Sequence, residues 1–209
     1  MNSEAFLIAL ALISSYLIGS FPTAYLVARL RRGVDIREIG TRNMGAMNVF
    51  YKIGIAEGLL VLGIDIGKGA SAILLSRLLE APPLAQLGCG VAVLLGHAFP
   101  VFLKFRGGKG GATAIGVLIF LMPKAIPFYL GIFLLLLAIT RVPTISYSLA
   151  FLCFPFIAWL IYHSGTFIIF STLLPLLPGL KYIPRIREMR SQAGSWRRVF
   201  LRRSIKERF

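Results

Sequence analysis

Long apolar runs separated by short polar loops set the pattern of this chain, in place of the apolar and polar alternation that marks a soluble helix or strand. A helix needs about 20 apolar residues to cross roughly 30 Å of hydrocarbon. By that measure the runs predict seven membrane helices, over Ala5–Leu30, Gly54–Leu79, Leu84–Leu103, Ala112–Met122, Ala125–Thr140, Thr144–Tyr162 and Thr166–Leu180. The fourth and fifth are shortened by Pro123, Lys124 and Pro127. For that pair a re-entrant hairpin is the alternative, stable only where protein covers its freed backbone groups. The first run has no basic segment before it and continues through Pro22 and Tyr25, so it reads as a retained helix rather than a cleaved signal. The expected fold class is all-α, a polytopic membrane protein, with an integral membrane domain over residues 1–180 and a basic tail over 181–209.

Composition strengthens this reading and charge orients it. Hydrophobic residues make up 57% of the chain and the mean hydropathy is +0.80, against about 45–50% apolar residues in ordinary globular proteins. Lys and Arg number 23 against 8 Asp and Glu, a net charge of +15. Nucleic-acid binding is not implied, because the cations sit between apolar runs rather than in patches on a polar surface. With the N-terminus outside, every Lys and Arg except Arg77, Lys124 and the intramembrane Lys68 falls on the inner side. Basic loops stay cytoplasmic, so the C-terminus is expected there too. In the tail, Ile186, Met189, Trp196, Val199, Phe200, Leu201 and Ile205 alternate with cations. That segment reads either as an amphipathic helix on the anionic leaflet, each cation contributing about 1 kcal/mol, or as a plain stop-transfer anchor. Cys89 and Cys153 lie singly in apolar stretches, which excludes a disulfide framework or a zinc site and leaves packing.

Two inner loops carry candidate chemistry. One runs from Gly40 through Thr41, Arg42 and Asn43 to Asn48; the other runs from Gly96 and His97 through Lys104 and Arg106 to Gly107-Gly108-Lys109-Gly110-Gly111. Glycines on both sides of Lys109, just ahead of a helix, let backbone N–H groups converge on one anion beside the positive helix end. The loop is not the G-x-x-x-x-G-K-S/T of nucleotide hydrolases, since Leu103 stands five before Gly108 and Gly110 follows Lys109. His97 reads either as a packing residue or as a chemical one. Phe102 stands five residues after it, which removes the His-x-x-x-x-Asp dyad of many acyl-CoA-dependent acyltransferases. Asp65 and Lys68, three apart on one helix face with Glu57 two turns earlier, read as an internal ion pair orienting the second span. With His163 the only other histidine, no Ser-His-Asp or Cys-His order stands out.

The segment Gly96 to Thr113 resembles the Gly-His-x-Phe-Pro-Val-Phe-Leu-x-Phe-x-Gly-Gly-Lys-Gly-x-Ala-Thr run of the bacterial acyl-phosphate:glycerol-3-phosphate acyltransferases, the PlsY family. Gly19 to Tyr25, Asp65 with Lys68 and Gly69, and Arg141 are similar to that family as well. The resemblance implies a seven-helix protein of the bacterial inner membrane. It implies transfer of a fatty acyl group from acyl phosphate to the 1-hydroxyl of glycerol 3-phosphate, giving lysophosphatidic acid, with a substrate phosphate assisting removal of the proton. No cofactor or metal is implied; the partners are acyl phosphate, glycerol 3-phosphate, membrane lipids and an upstream acyl-phosphate-forming enzyme. Carried over by motif, Gly107, Gly108, Lys109 and Gly110 hold the donor phosphate and Asn43 and Asn48 shape the site; Thr41, Asn43, His97 and Lys109 are the candidate catalytic set, and Arg42, Asn48, Lys104, Arg106, Thr144 and Ser146 the candidate acceptor-binding residues. The family's first motif reads Ser-Gly-Asn-x-Gly-Ala-Thr-Asn with an Arg three residues later. Here Thr41, Arg42 and Asn43 open it, Met47 and Asn48 close it, and Tyr51 replaces the Arg, so Arg42 or Lys52 is the substitute phosphate clamp. The family's third motif has no counterpart in Lys181 to Arg190. Competing readings are a paralogue with another acceptor and, in a different class, a transporter or flippase of a phosphorylated lipid precursor. The paired repeats common in transporters are not visible.

Overall fold

The computed structural model describes residues 3–200; the tail positions Leu201, Ile205 and their basic neighbours lie outside the described residues. The chain divides between Leu121 and Met122 into two compact units. Every regular element among the described residues is helical. Among the described residues, six apolar helical segments are long enough to cross a membrane: Ser3–Arg32, Ile55–Leu78, Pro83–Leu103, Pro123–Thr140, Pro143–Leu160 and Gly165–Ala193.

The first unit holds α1 (Ser3–Ser20), α2 (Thr23–Arg32), α3 (Ala46–Lys52), α4 (Ile55–Leu78), α5 (Pro83–Ala98) and α6 (Gly111–Leu121). The span formed by α1 and α2 breaks at Phe21 and Pro22, because proline has no N–H to donate and its ring clashes with the preceding turn. The Phe21 carbonyl at the break accepts the Thr23 N–H at 3.0 Å and a donor from Lys68 Nζ at 2.7 Å, so no acceptor is stranded in apolar surroundings. The fourth predicted stretch is α6, whose 11 residues at about 1.5 Å each span only about half of a bilayer core. Its residues Thr113, Ala114, Gly116, Val117 and Leu118 are buried within the unit. Backbone approaches to contact at two crossings. A Cβ on Gly19 or Gly96 would collide with the facing backbone of α5 or α1, and one on Gly69 or Gly116 with that of α6 or α4. Such close crossings replace the hydrophobic drive that lipid cannot supply between helices.

Polarity is distributed as lipid requires. Asp65, Lys68, His97, Ser15, Ser20 and Thr113 are buried, while Leu30, Leu78 and Leu84 are more than 70% exposed. Beneath the loop between α2 and α3, Ala24, Ala28, Ile36, Met44, Val49, Ile53 and Val61 form an apolar core that fixes the path of that loop.

The second unit holds α7 (Ile126–Thr140), α8 (Pro143–Ala150), α9 (Cys153–Leu160), α10 (Gly165–Leu173), α11 (Leu176–Ala193) and α12 (Trp196–Phe200). Helix α11 passes residue 180 without a break, so the basic tail begins as a continuation of the preceding helix. Met189, Ala193 and Val199 of that tail are buried in one cluster with Val142, Ile145 and Tyr182. Of the apolar positions in the tail's stripe, Met189 and Val199 are thus covered by protein, with Ile186 packed against the cluster, while Trp196 and Phe200 remain exposed. Arg190 lies over the Trp196 ring at 5.6 Å.

Candidate active site

The two loops singled out by their residues meet in the first unit. Gly108 donates its N–H to the His97 carbonyl at 3.1 Å. A Cβ at position 108 would collide with His97 Nε2 on one side and with the Met44 carbonyl oxygen on the other. Only glycine fits between the end of α5 and the loop ahead of α3. Gly110 has φ +92°, a left-handed conformation that an L side chain rarely adopts, and its carbonyl accepts Ala114 N–H at 2.8 Å to open α6. The glycine run is therefore a turn forced by contact on one flank and by backbone conformation on the other. Lys109, between these two glycines, is half-buried.

The loop ahead of α3 is organised by Asn48, which is 1% exposed. Its Nδ2 donates to the carbonyls of Ile36, Ile39 and Asn43 at 2.9, 3.0 and 3.1 Å, and its Oδ1 accepts Thr41 N–H at 3.0 Å. The amide of Asn48, an expected acceptor-binding residue, bonds the backbone of its own loop and sets the shape of the stretch that carries Thr41, Arg42 and Asn43. Asn48→Ala is expected to destabilise the protein by about 1–3 kcal/mol, since buried groups lose partners they cannot replace. A thermal unfolding midpoint equal to that of the parent protein would refute this.

Arg42 stands in the left-handed region at φ 55° with an exposed side chain, and enters no ion pair among the described residues. Lys104 and Arg106 are likewise exposed, on a tight turn in which Phe105 N–H donates to Pro100 O at 3.0 Å and Lys104 and Phe105 both have positive φ. Arg37, which the sequence marked only as one inner cation among many, links the two loops. Its Nη1 donates to Leu103 O at 3.4 Å, its guanidinium pairs with Asp35 at 2.7 Å, and it lies over the Tyr25 ring at 5.2 Å. Hydrogen bonding from Arg37 holds the Asp35 carboxyl below the ordinary carboxylate range. No local pattern announces this link, because Leu103 is remote in the sequence.

His97 is 3% exposed, with Nδ1 at 3.8 Å from Asp65 Oδ1, and that oxygen accepts from Lys68 Nζ at 2.7 Å. The expected ion pair is present, and the His97 ring lies beside it. Thr144 and Ser146 belong to the second unit, where Thr144 Oγ1 shares a hydrogen bond with Tyr182 Oη at 2.6 Å and Ser146 Oγ shares one with Thr140 Oγ1 at 2.9 Å.

Apolar helices long enough to cross a membrane, with a glycine-rich loop packed against the buried end of α5, define an integral membrane protein. Residues 9–192 match the family model described as glycerol-3-phosphate acyltransferase. The chain is 48% identical over 210 residues to glycerol-3-phosphate acyltransferase 2 of Dehalococcoides mccartyi, covering 100% of both. It is 39% identical over 191 residues to the glycerol-3-phosphate acyltransferase of Geotalea daltonii, covering 91% of this chain and 96% of that one. Its fold is similar to the crystal structure of PlsY, an integral membrane glycerol 3-phosphate acyltransferase, in its glycerol 3-phosphate form, with a TM-score of 0.81 at 27% identity over 100% of this chain and 96% of that one. The lysophosphatidic acid form of PlsY matches with a TM-score of 0.76 at 29% identity, over 92% and 93%. The chain belongs to the glycerol-3-phosphate acyltransferase family and is a membrane-embedded acyltransferase.

Proposed function

We propose that the protein acylates the 1-hydroxyl of glycerol 3-phosphate from acyl phosphate, at the cytoplasmic face of the bacterial inner membrane. The observation that carries this reading is the glycine turn wedged between His97 and Met44 with Lys109 at its centre. Fixed N–H dipoles and a cation suit a phosphate that gains charge as it leaves. The hydroxyl oxygen bonds to the acyl carbonyl carbon, the bond from that carbon to the phosphate oxygen breaks, and the hydroxyl proton ends on the departing inorganic phosphate. Gly107, Gly108, Lys109 and Gly110 hold the donor phosphate. Thr41 and Asn43 border the reacting atoms on a loop whose shape Asn48 sets, while Lys104 and Arg106 add positive potential for the acceptor. Purified protein supplied with radiolabelled glycerol 3-phosphate and either acyl phosphate or acyl-CoA tests the reading. Labelled lysophosphatidic acid formed from acyl-CoA alone would overturn it.

The acceptor carries nearly two negative charges, and a guanidinium holds phosphate with two parallel hydrogen bonds. Arg42, exposed on the Asn48-braced loop, is the proposed clamp in place of the arginine that Tyr51 displaces. Arg42→Ala is expected to raise the KM for glycerol 3-phosphate by an amount equivalent to about 1.5–3 kcal/mol and to spare the KM for acyl phosphate. An unchanged acceptor KM in an active variant would pass the role to another residue, with Lys52 next.

The basic residues argue for both loops on the cytoplasmic side. Single cysteines replacing Lys52 and Lys104 are expected to react with an impermeant maleimide in inside-out vesicles only. Labelling of either in right-side-out vesicles would reverse the orientation.

A further inference from the structure

Behind the glycine turn runs a line of buried charge that the proposed chemistry leaves unused. Lys68 Nζ lies 2.7 Å from Asp65 Oδ1, and that oxygen lies 3.8 Å from His97 Nδ1. The three side chains are at most 5% exposed. Lys68 also donates to the Phe21 carbonyl at 2.7 Å, which ties the pair to the break between α1 and α2. At the other end, the Nε2 edge of His97 fills the space that a side chain on Gly108 would take, and the His97 carbonyl accepts Gly108 N–H at 3.1 Å. The buried pair on α4 thus stands beside the ring that walls the glycine turn.

Energetics argue against a pair that serves only to orient α4. Burying two charges costs several kcal/mol of desolvation for each ion, and apolar residues of similar volume often stabilise a protein as well or better. The carboxylate instead faces the ring that walls the loop. At 3.8 Å the contact is too long for a hydrogen bond, and in these buried surroundings the carboxylate still biases the orientation of the ring dipole.

We infer that Asp65, held in place by Lys68, is a positioning residue for the donor-phosphate loop and acts through His97. Asp65 fixes the imidazole, and the imidazole with its own residue's carbonyl fixes Gly108, so the loop N–H groups face the phosphate before it binds. This rests on the donor reading proposed above. His97, 3% exposed, bears on the loop from behind.

Steady-state kinetics with both substrates test the inference on the purified full chain. Asp65→Asn is expected to raise the KM for acyl phosphate about ten-fold or more, as loss of a residue that orients a binding group does, and to leave the KM for glycerol 3-phosphate unchanged. Because this change leaves the Lys68 cation without its partner, Asp65→Asn with Lys68→Gln is measured beside it and is expected to show the same split. His97→Gln is expected to show it too, and combining His97→Gln with Asp65→Asn should add little, since residues on one path are not additive. A structural role alone would lower the unfolding midpoint and move both KM values together. With the parent enzyme turning over acyl phosphate, an unchanged donor KM, equal rises for both substrates, or full additivity overturns the inference alone. So does failure of both Asp65 variants to fold. If the parent protein does not use acyl phosphate at all, the donor reading falls and takes the inference with it.

Discussion

Gly108→Ala is expected to lower kcat/KM for acyl phosphate by about a hundred-fold or more, the scale set by misplacing a binding group by about 1 Å. The new Cβ meets His97 Nε2 and the Met44 carbonyl oxygen. The first belongs to a buried ring backed by Asp65, and the second is backbone of a loop pinned by four hydrogen bonds to Asn48. Neither neighbour moves cheaply, so the turn itself must shift and its N–H groups lose their aim. Overpacking of this kind also destabilises by about 1–3 kcal/mol. The measurement is therefore taken well below the unfolding midpoint of the variant, with the fold checked by its thermal transition. A folded Gly108→Ala protein with parental donor kinetics would show that the contact at 108 plays no part in phosphate binding.

Lys109→Ala is expected to cost about 2–4 kcal/mol of transition-state stabilisation, the scale for losing one pre-oriented donor at a developing oxyanion. The loss should appear mainly in kcat, because the leaving phosphate carries more charge on its bridging oxygen in the transition state than the bound donor does. Lys109→Arg keeps the charge but spreads it over a larger planar fork at a half-buried position, so partial recovery is the expected outcome. Single-turnover rates with saturating acyl phosphate separate this effect from donor binding. Turnover by Lys109→Ala close to that of the parent would take the lysine out of the mechanism and leave the cradle to backbone alone.

What the sequence by itself determined follows from solvent. An apolar run must be helical in lipid because every backbone group has to be satisfied within its own segment, so the all-helical membrane class and most span positions are legible from hydropathy. The glycine turn is legible for a similar reason: few local residue patterns leave the backbone so free of side chains on both sides of one lysine, and the run from Gly107 to Gly111 is one of them. The length of α6 is set differently. Its 11 residues suffice because glycines at 69 and 116 let it pack against α4 inside the unit, a fact about two helices that no single run records.

Only the tertiary structure decided which polar residues meet one another. Asn48 looked like a ligand residue in the sequence, and the fold spends its amide on three carbonyls and one N–H of its own loop. Arg37 looked like one cation of many, and the fold carries it to Leu103 O. Met189 and Val199 looked like positions for lipid, and a pocket of Val142, Ile145 and Tyr182 covers them. Asp65 and Lys68 were readable as a pair because three residues make one helical turn, whereas the step from Asp65 to His97 joins α4 to α5. Spacing within one helix is local and periodic, so the sequence holds it. Contacts between helices depend on how glycine crossings set their separation and rotation, and those are fixed only when the bundle has packed.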